Sequence, residues 1–196
     1  MPEPIAEIQR IDLRGHALKA IGDLNNLNQS LLGIMCSQSC PGDLVLKGFD
    51  AAKQIRDQGY CVVSGFHSSM EKDIFEILSR GNQPIIQCLA KAIEVYRMPQ
   101  SLRRRVEAGQ LTIIAPDFSE IENRITRKTV EMRNATIFNI CDQVLIIHAQ
   151  KRGNLERTCL DIISTQITFY ALPSKNNQHL FEQGFLPWKM DDEKFG

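Results

Sequence analysis

The sequence predicts a doubly wound α/β domain, a three-layer sandwich with helices on both faces of a mainly parallel sheet. Three observations predict it. Apolar runs of about five residues recur along the chain, each separated from the next by a segment with helical spacing. The runs are apolar throughout, which is the pattern of strands buried on both faces. Finally, 196 residues with 43% apolar and 23% charged side chains suit one domain with a core on each side of a sheet.

The elements follow in order. The first thirty residues read as a helical or irregular prelude, with Leu18, Ile21 and Leu24 as a stripe and Asn25, Asn26 and Asn28 as a stop. Leu31–Cys36 is a short apolar strand, followed by the turn residues of CSQSCPG and a helix over Leu44–Gln58 that Gly59 ends. Tyr60–Val63 is the second strand and runs straight into Ser64-Gly65. A helix over Met70–Ser79, closed by Gly81, precedes a third strand over Pro84–Leu89. Leu102–Ala108 is helical, Gly109 breaks it, and Leu111–Ala115 is the fourth strand. A helix over Arg127–Phe138, a strand over Val144–His148, a helix over Leu155–Ser164 and a strand over Ile167–Leu172 complete the alternation, with Pro173 as the stop. This predicts crossover units in a core over 31–186, an extension over 1–30 packing on it, and a frayed tail over 187–196.

Bulk properties exclude several classes. Lys plus Arg and Asp plus Glu both number 23, so there is no basic excess of the kind that marks indiscriminate nucleic-acid binding, although a local patch remains compatible with a zero sum. No secretory leader is recognisable, and the longest apolar runs, such as Val144–Ile147, are far short of a bilayer span of about 20 residues. A cytoplasmic location without membrane contact is expected. Cys61, Cys88 and Cys141 read as small core residues. Cys36 and Cys40 have no second ligand pair, so no metal and no cofactor are expected.

Ligands of open parallel sheets sit beyond the C-terminal ends of the strands, at a topological switch. The segments to read are therefore Ser37–Gly42, Ser64–Glu71, Pro116–Asn123 and Ala149–Asn154. Their serines offer hydroxyls, and neighbouring N–H groups can cradle an anion. The competing reading of Ser64 and Gly65 is that both simply fill a tight βα turn. No G-x-G-x-x-G, Walker lysine motif or G-x-S-x-G elbow is present. His67 and His148 follow strands at the working end, as ligand neighbours or as ordinary loop histidines. Two arginine-rich segments stand out: 91–107, with Lys91, Arg97, Arg103, Arg104 and Arg105, and 122–133, with Arg124, Arg127, Lys128 and Arg133. If they meet across the mouth of the sheet they form a basic rim; otherwise they are solvated helix faces.

At Ser64-Gly65, at Arg133-Asn134 and at the strand ending in Pro173, the chain resembles the Rossmann-like core of the DNA-processing protein A (Smf) family, part of a wider lysine-decarboxylase-like nucleotide-binding group. The family's glycine-serine-arginine turn falls on Cys36, Ser37 and Gln38, and its glycine-isoleucine-aspartate triplet on Ser69, Met70 and Glu71. Its arginine-asparagine motif matches Arg133-Asn134 ahead of CDQVLIIHA, a small glycine turn matches Gly153-Asn154-Leu155, and its closing valine-proline-glycine matches Leu172, Pro173 and Ser174. Gln38 thus removes a positive charge from the first turn, and Glu71 is one methylene longer than the aspartate and free to point elsewhere.

The resemblance implies a single-stranded DNA-binding core, active as a homodimer and as a mediator for a RecA-type recombinase in recombination and transformation. It implies a phosphate site lined by Ser37, Gln38, Ser64, Gly65, Phe66, Ser69, Arg127, Arg133, Asn134 and Gly153, with Phe66 as a stacking surface or a core residue. The core is expected to stand alone, without the flanking domains of many relatives. The alternative is a nucleotide-binding sensor, or an enzyme acting on a small nucleotide with Glu71, Asp117 or Glu120 as acid or base. A structural protein with a decayed site is the third reading. No catalytic residue is assigned.

Overall fold

Nine strands form one sheet in the order β1-β2-β6-β5-β4-β3-β7-β8-β9, in a computed structural model that describes residues 7–118, 124–162 and 167–189. The strands are β1 (Gln9–Leu13), β2 (His16–Ile21), β3 (Leu31–Cys36), β4 (Cys61–Ser64), β5 (Ile85–Cys88), β6 (Leu111–Pro116), β7 (Gln143–His148), β8 (Thr168–Ala171) and β9 (Leu186–Pro187). The helices are α1 (Gly42–Asp57), α2 (Ser69–Leu78), α3 (Gln100–Glu107), α4 (Arg127–Ile140), α5 (Asn154–Ile162) and α6 (Gln178–Phe181). From β6 to β9 every neighbouring pair is parallel. The order reverses between β3 and β7, since the chain builds outward from β3 to β6 and then returns to β3's other side. That is the switch point at which such sheets open a crevice.

The predicted alternation of strand and helix is present, and the reason shows in the burial of β3. Leu32, Ile34 and Cys36 face a core shared with Leu44, Ala51 and Ile55 of α1, Ile74 and Leu78 of α2, and Val106 of α3. Leu31 and Met35 face the other core, with Ile137, Phe138 and Ile140 of α4, Leu155 and Cys159 of α5, and Leu180 of α6. A strand with a core on both sides has no polar face to display, so its sequence loses the alternation of a surface strand.

The prelude is a correction. Residues expected to be helical or irregular form the β1–β2 hairpin, and β2 pairs antiparallel with β6. The turn is Arg14-Gly15, with φ of 54° and 80°, the doubly left-handed pairing of a two-residue hairpin. Leu18 and Ala20 point into one core and Ile21 into the other, so Leu18 and Ile21 of the stripe read at helical spacing lie on a strand's two faces, while Leu24 begins a short 3-10 turn. Arg14 reaches Asp142 at 2.7 Å, and the other oxygen of Asp142 accepts the Leu31 N–H at 2.8 Å, which locks the hairpin turn to the start of β3. At the far edge Trp188 is buried, donates its backbone N–H to the Ala171 carbonyl at 2.9 Å and packs its ring edge-on to Tyr170. The final DDEK stretch lies outside the described residues, as do Glu120, Glu122, Asn123 and Ser164.

Candidate functional site

A cleft of about 240 Å³ opens at the C-terminal ends of β3, β4 and β7, at the switch point. The first wall is the end of β3. A register shift against β7 between Met35 and Cys36 turns the strand there. The Ser37 N–H donates to the His148 carbonyl at 2.8 Å, and the Ser37 hydroxyl accepts the Gln150 N–H at 3.0 Å. Gln38 follows, exposed, at the cleft edge.

The second wall is the turn from β4 into α2. Ser68 caps the helix by accepting the Glu71 N–H at 3.2 Å. The Glu71 carboxylate, 2% exposed, accepts three backbone N–H groups: Ser68 at 3.2 Å, His67 at 2.8 Å, and Cys36 across the crevice at 2.9 Å. Glu71 therefore stitches the β3 end to the β4 end. Its extra methylene is what reaches the neighbouring strand. All three donors are spent on the protein's own carboxylate, and among the described residues no other carboxylate lines the cleft. Of the other nominated acids, Asp117 is bound to Lys19 at 2.8 Å and lies elsewhere, and Glu120 is outside the described residues.

The third wall is α4. Arg133 and Asn134 are 5% and 6% exposed, and Asn134 Oδ1 accepts from Arg133 Nε at 3.1 Å and Nη2 at 2.8 Å. The guanidinium lies flat over Gly65. A Cβ built there would stand 2.6 Å from Arg133 Cζ and Nη1, so any side chain at this position would have to push the guanidinium aside. Arg133 pairs with no carboxylate among the described residues, and Asn134 occupies two of its five N–H donors. It is a buried cation held next to an open cleft.

The fourth wall is the loop from β7 into α5, where Gly153 and Asn154 line the cleft. Arg152 has a left-handed φ of 61°, and its N–H donates to the buried Glu156 carboxylate. Asn154 opens α5, so the positive end of that helix also faces the cleft.

The residues predicted for the site divide into two sets. Ser37, Gln38, Arg133, Asn134 and Gly153 line the cleft, and Gly65 supports it from beneath. Arg127 stands beside it, largely exposed, bound to Glu131 at 2.9 Å and to Asn154 Oδ1 at 3.1 Å. Ser64 is wholly buried and its hydroxyl accepts the Phe66 N–H. Phe66 has a φ of 47° and packs edge-on against Phe75 at 4.9 Å, inside the core. Ser69 is exposed but outside the cleft lining. Of the two arginine-rich segments, none of Arg97, Arg103, Arg104 and Arg105 lines the cleft, whereas Arg133 does. Arg105 donates to the carbonyl of Ser79 at 2.9 Å, where α2 ends at the opposite edge of the sheet. His148 is engaged with Asn177 at 3.0 Å and does not line the cleft, whereas His67 does. Gln150 was not singled out by the sequence, because an amide in a turn has no spacing signal, and Asn154 entered only as part of the Gly153-Asn154-Leu155 turn.

Among the described residues no group of three or more His, Cys, Asp or Glu is placed to hold a metal, and no helix is long and apolar enough to cross a membrane.

The family model for DNA recombination-mediator protein A matches residues 3–183. Among solved structures, the fold is similar to DNA processing protein A from Streptococcus pneumoniae, with a TM-score of 0.71 and 16% identity, over 88% of this chain and 62% of that one. It is similar to DNA processing protein A from Helicobacter pylori, a protein studied for its single-stranded DNA binding mode, with a TM-score of 0.65 and 14% identity, over 86% of this chain and 79% of that one. The Moco carrier protein of Chlamydomonas reinhardtii shares the fold more loosely, with a TM-score of 0.51 and 8% identity, over 81% of this chain and 88% of that one. This chain thus spans less than two thirds of the pneumococcal protein's length. No curated protein matches it by sequence.

Proposed function

The chain belongs to the DNA recombination-mediator protein A family, and from that premise we propose that its cleft binds a backbone phosphate of single-stranded DNA. The observation that carries the reading is Arg133. A buried guanidinium without a carboxylate partner is costly unless an anion completes it, and Arg133 stands at the open mouth of the cleft with donors to spare. The α5 N-terminus and the Gln38 and Gln150 amides add donors that suit phosphate oxygens. Gln38 contributes no charge, so the first turn contributes hydrogen bonds where the family's arginine would contribute an ion pair.

Size favours a polymer over a free nucleotide. Small-molecule pockets measure roughly 300–1,000 Å³, and this cleft, at about 240 Å³, takes a phosphate and part of a sugar while the rest of the strand stays outside. Chemistry favours binding over turnover, because the one carboxylate that lines the cleft among the described residues is consumed by backbone donors. Phe66 packs inside the core and is no stacking platform, so affinity rests on phosphate contacts and is independent of base sequence. A homodimeric assembly and a RecA-type recombinase as partner belong to the same proposal and rest on the family resemblance.

The test is binding of a labelled mixed-sequence oligonucleotide at about 50 mM and about 200 mM salt, with Arg133→Gln alongside. We expect affinity that falls steeply with salt and is largely lost in the variant. Absence of binding at low salt, or equal binding by Arg133→Gln, would overturn the proposal; binding of mononucleotides but not oligonucleotides would favour the nucleotide sensor.

A further inference from the structure

Arg157 lies outside both arginine-rich stretches of the sequence, yet the fold brings it beside Arg127 at the rim of the cleft. The two come from different helices and meet on one atom: Asn154 Oδ1 accepts from Arg157 Nη2 at 2.5 Å and from Arg127 Nη2 at 3.1 Å. Asn154 itself lines the cleft that the buried Arg133 faces. The shared acceptor is a neutral amide, so it orients both guanidiniums without cancelling either charge. Arg127 also contacts Glu131 at 2.9 Å, in an exposed i,i+4 pair of the kind that contributes little in water. Arg157 has no carboxylate partner among the described residues. Folding does not call for these cations either. Arg127 is the first residue of α4, which has no acid in its first turn, and Arg157 lies in the first turn of α5. The helix dipole favours anions at such ends and works against cations. The acid in the first turn of α5, Glu156, is buried and taken up by the Arg152 N–H and, at 3.1 Å, by the Gln183 amide. Two guanidiniums gathered on one amide are unfavourable in the free protein and favourable once an anion joins them.

We propose that Arg127 and Arg157 form a second phosphate subsite, which takes the phosphate next to the one held in the cleft. The inference rests on the phosphate-binding reading of the cleft. Asn154 belongs both to the cleft lining and to the arginine pair, so the two phosphate positions are adjacent, as neighbouring phosphates are along one strand. The strand therefore leaves the cleft over the starts of α4 and α5, on the face of the sheet opposite α3. Arg127 and Arg157 act on the same anion, as two donors to one phosphate. A mononucleotide fills the cleft and leaves the pair empty, whereas a chain of phosphodiesters occupies both.

The full chain is titrated with a labelled mixed-sequence oligonucleotide from about 50 mM to about 200 mM salt. Arg157→Gln, Arg127→Gln and the double variant are measured beside Arg104→Gln, an exposed arginine of α3 outside the cleft lining. For single strands the slope of log K against log salt changes by about 0.7 for each phosphate contact. We expect Arg157→Gln to reduce the slope by about that amount and to weaken binding severalfold, and Arg104→Gln to change neither. The double variant should match the single ones, because both residues serve one phosphate, and Arg157→Lys should keep the slope. Arg157 is exposed, so its substitution leaves the core intact. An undiminished slope in Arg157→Gln, an equal loss in Arg104→Gln, or a double variant that loses two contacts would each overturn the subsite. Thymidine monophosphate is then compared with a thymidine dinucleotide carrying two phosphates. Wild type should prefer the dinucleotide severalfold and Arg157→Gln should not; equal affinities in wild type overturn the proposal. If Arg133→Gln abolishes binding while Arg157→Gln leaves affinity and slope untouched, the cleft reading stands and the subsite fails. If the wild-type chain binds no oligonucleotide at low salt, both fail.

Discussion

Arg105 and Arg133 belong to two arginine-rich stretches that look alike on paper, and the fold gives them opposite work. Arg105 sits at the N-terminal edge of the sheet, where α3 meets the end of α2, and its guanidinium satisfies the Ser79 carbonyl there. Its pKa is lowered because burial strips water from it, with the Glu76 charge acting the other way. A cation at a helix C-terminus is a structural arrangement that complements the helix dipole. Arg133 sits at the C-terminal edge, laid over Gly65, braced by Asn134 and facing a cleft whose described carboxylate, Glu71, is taken up by backbone N–H groups. Place in the sheet, more than charge density or partner supply, separates the two: Arg105 keeps Nε and Nη2 buried with no hydrogen-bond partner among the described residues, away from the cleft, whereas Arg133 lines it.

The sharpest way to break that contrast is to remove the frame around Arg133. Glu71→Ala would strand three backbone N–H groups at the junction of β3 and β4. We expect a loss of about 3 kcal/mol or more, read as a lower urea midpoint, since unsatisfied buried donors cost about 1–3 kcal/mol each. An unchanged midpoint would mean that Glu71 does not stitch the strands. Next comes Gly65→Ala, whose methyl group collides with the guanidinium. Overpacking of this kind costs about 1–3 kcal/mol, and oligonucleotide binding should fall with it because the arginine is displaced from the cleft.

A third experiment sharpens the comparison directly. Arg133→Gln should weaken oligonucleotide binding about tenfold or more, a change of about 1.4 kcal/mol, whereas Arg105→Gln should leave affinity unchanged and lower the urea midpoint. Equal effects on binding would erase the distinction between the two regions. The fourth effect is smaller and depends on pH. Hydrogen bonds from Lys19 hold Asp117 and Glu94 below the ordinary carboxylate range, and Lys19 itself is raised by the same contacts. A carboxylate whose folded pKa is depressed stabilises above its unfolded value of about 4 and loses that contribution as pH falls through the folded value. Wild type should therefore lose more stability between pH 5 and pH 2 (approximate bounds) than Lys19→Met, which lacks the ion pairs. Parallel pH profiles for the two proteins would sink this account.

Much of the cleft was legible because parallel strands carry their site at a known end. Ser37, Gln38 and Gly153 lie in the turns after β3 and β7, while the arginine-asparagine pair that the family motif singled out lies on α4. Ser64 and Phe66 were harder. A serine and a phenylalanine after a strand read as ligand groups, yet Ser64 turns its hydroxyl to the local backbone and Phe66 turns into the core through a left-handed φ. Nothing in a run of letters reports a sign change in φ at a residue other than glycine. The hairpin of residues 9–21 was missed for a related reason: its turn is Arg-Gly rather than the asparagine-glycine that announces such turns.

The sequence by itself determined the layers. Runs of Val, Ile and Leu long enough for a strand and too apolar for a surface specify burial on both faces, and that alone requires helices above and below a parallel sheet. The tertiary structure decided which charges are neutralised. Glu71 and Arg133 are far apart in the chain and carry opposite charges, but one is saturated by backbone donors from the end of β3 and the turn into α2, whereas the side-chain hydrogen bonds of the other, among the described residues, go to the Asn134 amide. Burial and hydrogen bonding set the cost of a charge, and both depend on atoms that only the folded chain brings within a few ångströms.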